Sequence, residues 1–221
     1  TVHCSWWFPG GRHVYMQTCS LVVMKIAIVN LKGGAGKTAT AVHLAAGLHA
    51  AGEPVVLVDA DPQGSALGWT EAAESDWLTV GLPSKTIHHQ AARLTANGEH
   101  LVIDTPPGDL GVVTSALRAA DLVVIPVQPT GTDLSQFAET VQLVEDVQPM
   151  TDAKAVVLLT RVVKRTVAAE AVRDALEPFG IPVLDAVVPQ SQTVAMAHGR
   201  PVSDLGAYAE VLAELRKVAA E

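Results

Sequence analysis

The sequence predicts an α/β fold: one mostly parallel, twisted sheet with helices on both faces. Three observations carry that expectation. Short aliphatic runs alternate with longer stretches of helical period, the strand–helix–strand rhythm of a parallel sheet. The hydrophobic fraction of 49% comes mostly from Ala, Val and Leu, with only 4% aromatics, as suits strands buried on both faces. The 221 residues are enough to enclose a substantial core, and no internal repeat, low-complexity run or linker divides them. A single domain is expected.

Taken in order, the first 23 residues differ from the rest. "TVHCSWWFPGGRHVYMQTCSLVV" holds both cysteines and one charged residue, Arg12, and shows no sustained period. Residues 1–23 are therefore expected to be an upstream extension outside the fold, with residues 24–221 forming the domain. A signal peptide fits less well, for want of a basic n-region and a clean apolar h-region. Strands are expected over 25–31, 54–60, 100–105, 121–127, 154–162 and 185–189. Helices are expected over 37–51, 84–96, 111–119, 132–147, 166–178 and 203–220, with Gly52 closing the first and Pro178–Gly180 the fifth. No apolar run is long enough to span a bilayer.

The totals narrow the function. A net charge of −8 argues against a protein coated in nucleic acid, although weak backbone binding needs only a few clustered cations. No cysteine follows Cys19, which argues against a disulfide-stabilised secreted domain and against a thiolate-held metal or iron–sulfur site. His43, His49, His88 and His89 lack the spacing and acidic partners of a metal site; all the histidines read as surface or core residues.

Chemistry concentrates in three segments. In "VNLKGGAGKTATAVHLAAGL" (29–48), a strand runs through a glycine turn into a helix. Gly33, Gly34 and Gly36 would let the backbone N–H groups converge on an anion at the positive end of that helix. Lys37 would reach the β- and γ-phosphates, and the Thr38 hydroxyl would ligate Mg²⁺. In "VLVDADPQGS", Asp59 and Asp61 are two apart at a strand's carboxyl end, where sites in open α/β sheets lie. An N-cap with Pro62 at N1 is the competing role for Asp61. In "HLVIDTPPG", an aliphatic strand ends on Asp104, which would hold Mg²⁺ through water.

A usual P-loop has glycine at position 31, where this chain has Leu31, and the segment reads Lys32-Gly33-Gly34-Ala35-Gly36-Lys37-Thr38. This resembles the deviant Walker A motif, KGGxGK[ST], of the ParA/MinD class of dimerising P-loop ATPases. The resemblance covers residues 24–221. It implies ATP and Mg²⁺ as cofactors, with residues 32–39, Ala35 and Ala39 included, around the nucleotide. It also implies that Lys32 reaches the nucleotide held by a partner subunit, in the manner of an arginine finger acting in trans. By the same match Asp61 positions the attacking water, Asp59 lies near the Mg²⁺ shell, and Thr105–Gly108 forms a second switch. "VVPQSQTVAMAHGRPVSD" (187–204) resembles the family's proline loop and nominates Pro189 and Gln190 beside the base. Thr160 and Arg161 stand where relatives often carry an asparagine for the base.

Arg161, Lys164 and Arg165, with Arg173 farther on, form the densest basic cluster, to which Arg200, Arg216 and Lys217 would add. A solvated charged face is the plain reading; the functional one is weak binding to DNA phosphates. "LLTRVVKRT" resembles the small plasmid-type ParA proteins, the ParF group, and nothing before Met24 offers room for a separate DNA-binding domain. The resemblance thus implies a cytoplasmic, nucleoid-associated partition ATPase. It would form a homodimer on ATP, bind non-specific DNA, and be stimulated by a ParB/ParG-like centromere-binding protein. A MinD-like membrane-cycling ATPase is one alternative. However, the last helix carries Asp204, Glu210, Glu214 and Glu221 against Arg216 and Lys217, which suits packing on the sheet better than anionic lipid. A ParA-like positioner of a protein organelle is another. A nitrogenase iron protein is excluded by the missing cysteines, and the Ala-Asp-Pro-Gln-Gly switch argues against a ligase-type relative.

Overall fold

The computed structural model describes residues 23–129, 133–163, 168–191 and 198–221. Seven strands and seven α-helices lie within them: β1 (Lys25–Ile28), α1 (Lys37–Ala50), β2 (Val55–Asp59), α2 (Ser65–Ala72), β3 (Leu78–Gly81), α3 (Ile87–Leu94) and β4 (His100–Asp104). They continue with α4 (Leu110–Ala119), β5 (Leu122–Val127), α5 (Asp133–Val147), β6 (Lys154–Val162), α6 (Ala168–Leu176), β7 (Val183–Pro189) and α7 (Tyr208–Ala220). The strands form one sheet in the order β3-β2-β4-β1-β5-β6-β7, and every pair is parallel. Parallel neighbours need crossovers, which the helices supply.

Strand alternation sends side chains into two cores. Ile26 and Ile28 of β1, with Val55 and Leu57 of β2, face α1, α2 and α7. Ala27, Val56, Val58, Leu101 and Ile103 face the opposite side, where Ile87, Val113, Leu117, Phe137 and Leu176 of α3 to α6 cover them. Because α1 is wedged between sheet and helices, Thr40 to Leu48 are all buried; this is why its sequence is apolar on nearly every side. Gly47 is the point of closest approach: a Cβ there would meet Leu212 of α7 at 3.0 Å and Leu205 at 3.3 Å.

The expected strands and helices of the described residues are present, with shifted ends. β1 stops at Ile28 because Asn30 turns the chain, its side-chain oxygen accepting the Lys32 N–H at 2.8 Å. Two elements escaped the sequence reading. β3 is a four-residue edge strand with Leu78 57% exposed, so it lacks the buried alternation that marks a strand. α2 is short and carries Gly68 in its interior, a weak helix former. The last helix begins at Tyr208, and its Tyr208, Val211, Leu212 and Leu215 are buried on the sheet, as its acidic outer face suggested. Among the described residues no helix is long and apolar enough to cross a membrane.

At the amino end of the sheet, α7 is tied down. Arg216 donates to both carboxylate oxygens of Glu53, at 2.9 and 2.8 Å. Glu53 Oε2 also lies 3.2 Å from Nε2 of the fully buried His100, an electrostatic contact rather than an aligned hydrogen bond. His100 Nδ1 accepts the Met24 N–H at 3.1 Å, so the ring's own proton sits on Nε2, facing the carboxylate.

Candidate functional site

The carboxyl ends of β1, β2 and β4 come abreast because of register: Ile28 pairs with Asp104, and Asp104 with Asp59. Above them the chain leaves β1 and enters α1 through the glycine loop. Gly34 (φ 77) and Gly36 (φ 95) both lie in the left-handed region, which a side chain would resist. A cleft of about 670 Å³ opens there, floored by Gly33 to Ala39 apart from Ala35 and walled by Asp61, Trp69, Thr160, Arg161, Pro189 and Tyr208.

Lys37 is buried at the start of α1, and its ammonium donates to the Lys32 carbonyl at 2.9 Å. Burial lowers its pKa, opposed by the negative charges of Asp104 and Asp61. Asp104 is 1% exposed, and neither carboxylate oxygen has a hydrogen-bond partner in proper geometry. Burial pushes its pKa up to about 7, resisted by the nearby Thr38 hydroxyl and Lys37 and reinforced by Asp59 and Asp61. A buried carboxylate without a hydrogen bond in proper geometry, beside a threonine hydroxyl at the mouth of a glycine loop, is the donor set of a hydrated Mg²⁺ on a phosphate ligand. The residues present fit that ion.

Asp59 is fully buried and already holds the next loop: its carboxylate accepts the Asp61 N–H at 3.1 Å and the Leu67 N–H at 2.8 Å. Burial raises its pKa, and those backbone amides pull it back. Asp61 lines the cleft and accepts the Gln63 N–H at 2.9 Å in a local turn. It does not cap α2, whose cap position is Gly64 (φ 65). The competing capping role is thereby removed. Thr105 is held back from the cleft, its hydroxyl donating to the Ile28 carbonyl at 2.7 Å.

The four residues nominated for the base end all line the cleft. Thr160 lines the cleft, but its hydroxyl donates to the Ala35 carbonyl at 3.0 Å, so it braces the glycine loop. Arg161 is exposed on the cleft wall with φ 52, a conformation that costs a non-glycine residue free energy. Pro189 and Gln190 lie where the proline loop was expected, on the same wall.

The basic residues assigned to DNA have different surroundings. Lys164 and Arg165 lie outside the described residues. Arg173 donates to the Leu184 carbonyl at 2.7 Å, and Arg216 is paired with Glu53. Arg161, Arg200 and Lys217 remain exposed. No group of three or more potential metal-ligating His, Cys, Asp or Glu occurs among the described residues.

Sequence reasoning missed the scaffold beneath the loop. Asn30 bridges the Pro126 carbonyl (2.8 Å) to the Lys32 N–H, Gln128 donates to the Gly34 carbonyl at 2.5 Å, and Thr140 Oγ1 accepts the Leu31 N–H at 3.2 Å. Asn30 had a signal, a polar residue ending an aliphatic strand. It also missed Trp69, His198 and Tyr208 in the wall, since aromatic residues in helical stripes read as core.

Residues 26–202 match the family described as the CobQ/CobB/MinD/ParA nucleotide binding domain. "Maintenance of carboxysome distribution protein A" of Gloeobacter kilaueensis is 42% identical over 168 residues, 74% of this chain and 75% of that one. "Chromosome partitioning protein ParA" of Caulobacter vibrioides is 29% identical over 227 residues, 80% and 85% of the two chains. In fold, the chain resembles cobyrinic acid a,c-diamide synthase from Mycobacterium smegmatis, solved with bound ADP and magnesium. The TM-score is 0.73 at 23% identity, covering 88% of this chain and 94% of the other.

Proposed function

The chain belongs to the CobQ/CobB/MinD/ParA nucleotide binding domain family, and on that premise we propose that it is a ParA-type positioning ATPase. It hydrolyses ATP, dimerises on binding it, and in that state holds non-specific DNA. One observation supports this above the rest: Lys37, anchored on the Lys32 carbonyl at the turn of the glycine loop, faces the buried carboxylate of Asp104, which has no hydrogen bond in proper geometry. In this reading Lys37 leaves the Lys32 carbonyl for the phosphates of its own nucleotide. The backbone N–H groups of the glycine loop receive the phosphate oxygens. Asp61, held at the cleft by its turn to Gln63, orients the attacking water. Thr38 and Asp104, with Asp59 behind them, hold Mg²⁺, which when bound neutralises charge developing on the phosphate oxygens. Lys32 serves the nucleotide of the partner copy, completing each site only in the dimer.

The cargo is the finer question. A DNA locus carrying a ParB/ParG-like centromere-binding partner is one reading. The 42% identity to a carboxysome distribution protein favours a second, a protein body moved across the nucleoid by the same cycle. A MinD-like membrane cycle is less favoured, since the apolar stripe of α7 is buried on the sheet. Light scattering with and without ATP, followed by duplex-DNA binding over a salt series, tests the shared core. ATP should produce a dimer whose DNA affinity falls steeply with salt. A chain that stays monomeric with ATP, or binds DNA regardless of nucleotide and salt, would refute it.

A further inference from the structure

Asn30 has no assigned role, yet both ends of its side-chain amide are built into the loop. It is 4% exposed. Its Nδ2 donates to the Pro126 carbonyl at 2.8 Å, and its Oδ1 accepts the Lys32 N–H at 2.8 Å. The amide cannot be flipped: a proline carbonyl only accepts, and a backbone N–H only donates. A buried polar side chain offers stability no better than an apolar one unless both its ends are satisfied, and here both are.

The peptide that Asn30 holds is the one that starts Lys32. The other side of that residue is held as well, since the Lys32 carbonyl accepts the Lys37 ammonium at 2.9 Å. When Lys37 turns to a nucleotide, that second hold is released, while the Asn30 hold on the Lys32 N–H does not depend on Lys37. β5 supplies the anchor, because Pro126 lies inside a strand buried along its whole length. We propose that Asn30 is a positioning residue for Lys32: by fixing the Lys32 peptide against β5 it aims that side chain at the nucleotide of the partner copy. The proposal rests on the reading of Lys32 as a cation acting in trans.

A role in trans has a signature that a merely structural role lacks. A subunit with Asn30→Ala keeps its own Lys37, Thr38 and Asp61, and fails only in what it gives its partner. A subunit with Asp61→Ala fails only at its own site, and still supplies Lys32. Alone, Asn30→Ala should bind ATP and dimerise as the unaltered chain does, while its turnover falls about 100-fold, the scale of a misplaced reacting group. Mixed in equal amounts with Asp61→Ala, it should recover about a quarter of the unaltered activity, since random pairing puts one working site in half of the dimers. Asn30→Asp keeps an acceptor for the Lys32 N–H, so it should retain more turnover than Asn30→Ala.

A mixture of Lys32→Ala with Asp61→Ala separates the two claims. If that pair recovers activity and the Asn30→Ala pair does not, the Asn30 inference is wrong while Lys32 in trans survives. If neither pair recovers, the trans lysine itself is wrong, and the inference falls with it. Loss of ATP binding in both Asn30 variants would make the residue a builder of its own subunit's loop, and would overturn the proposal.

Discussion

The two ends of β4 carry the same kind of burden and treat it in opposite ways. His100 at the amino end is fully buried, and Asp104 at the carboxyl end is 1% exposed. Around His100 the chain supplies the Met24 N–H for Nδ1 and, 3.2 Å from Nε2 though not in hydrogen-bond geometry, a Glu53 carboxylate that Arg216 neutralises. Around Asp104 it supplies a neighbouring hydroxyl and lysine, but no hydrogen bond in proper geometry. A protein selected for stability alone would have treated both ends like the first. The second end keeps its demand for a cation, which is how a binding site differs physically from a core.

The largest break in that comparison should come from Asp61, which belongs wholly to the second end. Asp61→Ala should lower the rate of phosphate release by about 10²- to 10⁴-fold, the span of a lost positioning or proton-accepting group. Nucleotide affinity should change little by equilibrium titration. Substituting the first end should do the reverse. Glu53→Ala leaves a half-exposed guanidinium and a buried imidazole without their carboxylate, and should cost about 2–3 kcal/mol in urea unfolding with nucleotide affinity unchanged. If Glu53→Ala instead disabled nucleotide binding, the two ends would be coupled, and the contrast between them would lose its meaning.

A smaller effect sharpens the contrast through pH. The Asp104 carboxyl rises from its ordinary 3.8 to about 7. Between those values the folded chain keeps a proton that the unfolded chain has released, so this group's contribution to stability declines as pH rises from about 4 to about 7. Asp104→Asn removes that slope. Its stability relative to the unaltered chain should therefore improve across this window and level off above it, in urea midpoints taken at several pH values. Burial lowers the pKa of His100 and of His43 below 6.5. The unfolded chain then takes up those protons first, and stability is lost as pH falls below about 6.5. Comparing the variant with the unaltered chain at each pH cancels the histidines. In the presence of nucleotide, Mg²⁺ binding should strengthen as pH rises through about 7, because the ion competes with a proton for Asp104.

Much of the fold was legible because parallel strands buried on both faces announce themselves as aliphatic runs, as "HLVID" and "LVVIPV" do. What was not legible lacked that signal. β3 is short and half in solvent, and α2 grows from a loop whose order depends on Asp59 accepting N–H groups from residues 61 and 67, a contact no local pattern displays. The site divides similarly. Lys37, Thr38 and Asp104 were nominated by residue type and position after a strand, and Asp61 by the resemblance of its segment to a family switch. Thr160 could be located but not given its work, because its hydroxyl turns toward the glycine loop. Arg173 and Arg216 were nominated for DNA phosphates, with a solvated face as the plain reading, and only the packed chain shows the carbonyls and the carboxylate they reach.

Gly47 sets the clearance between the helix that begins at the phosphate loop and the helix whose first residue, Tyr208, walls the cleft. With side-chain methyls of Leu212 and Leu205 at 3.0 and 3.3 Å from where its Cβ would stand, one added methyl would fit only if those leucine tips, or α7 itself, gave way by a few tenths of an ångström. Because Arg216 pins one end of α7, the displacement would emerge at the other, in the tyrosine. A single hydrogen atom in mid-helix thus gauges the width of a doorway more than two turns away.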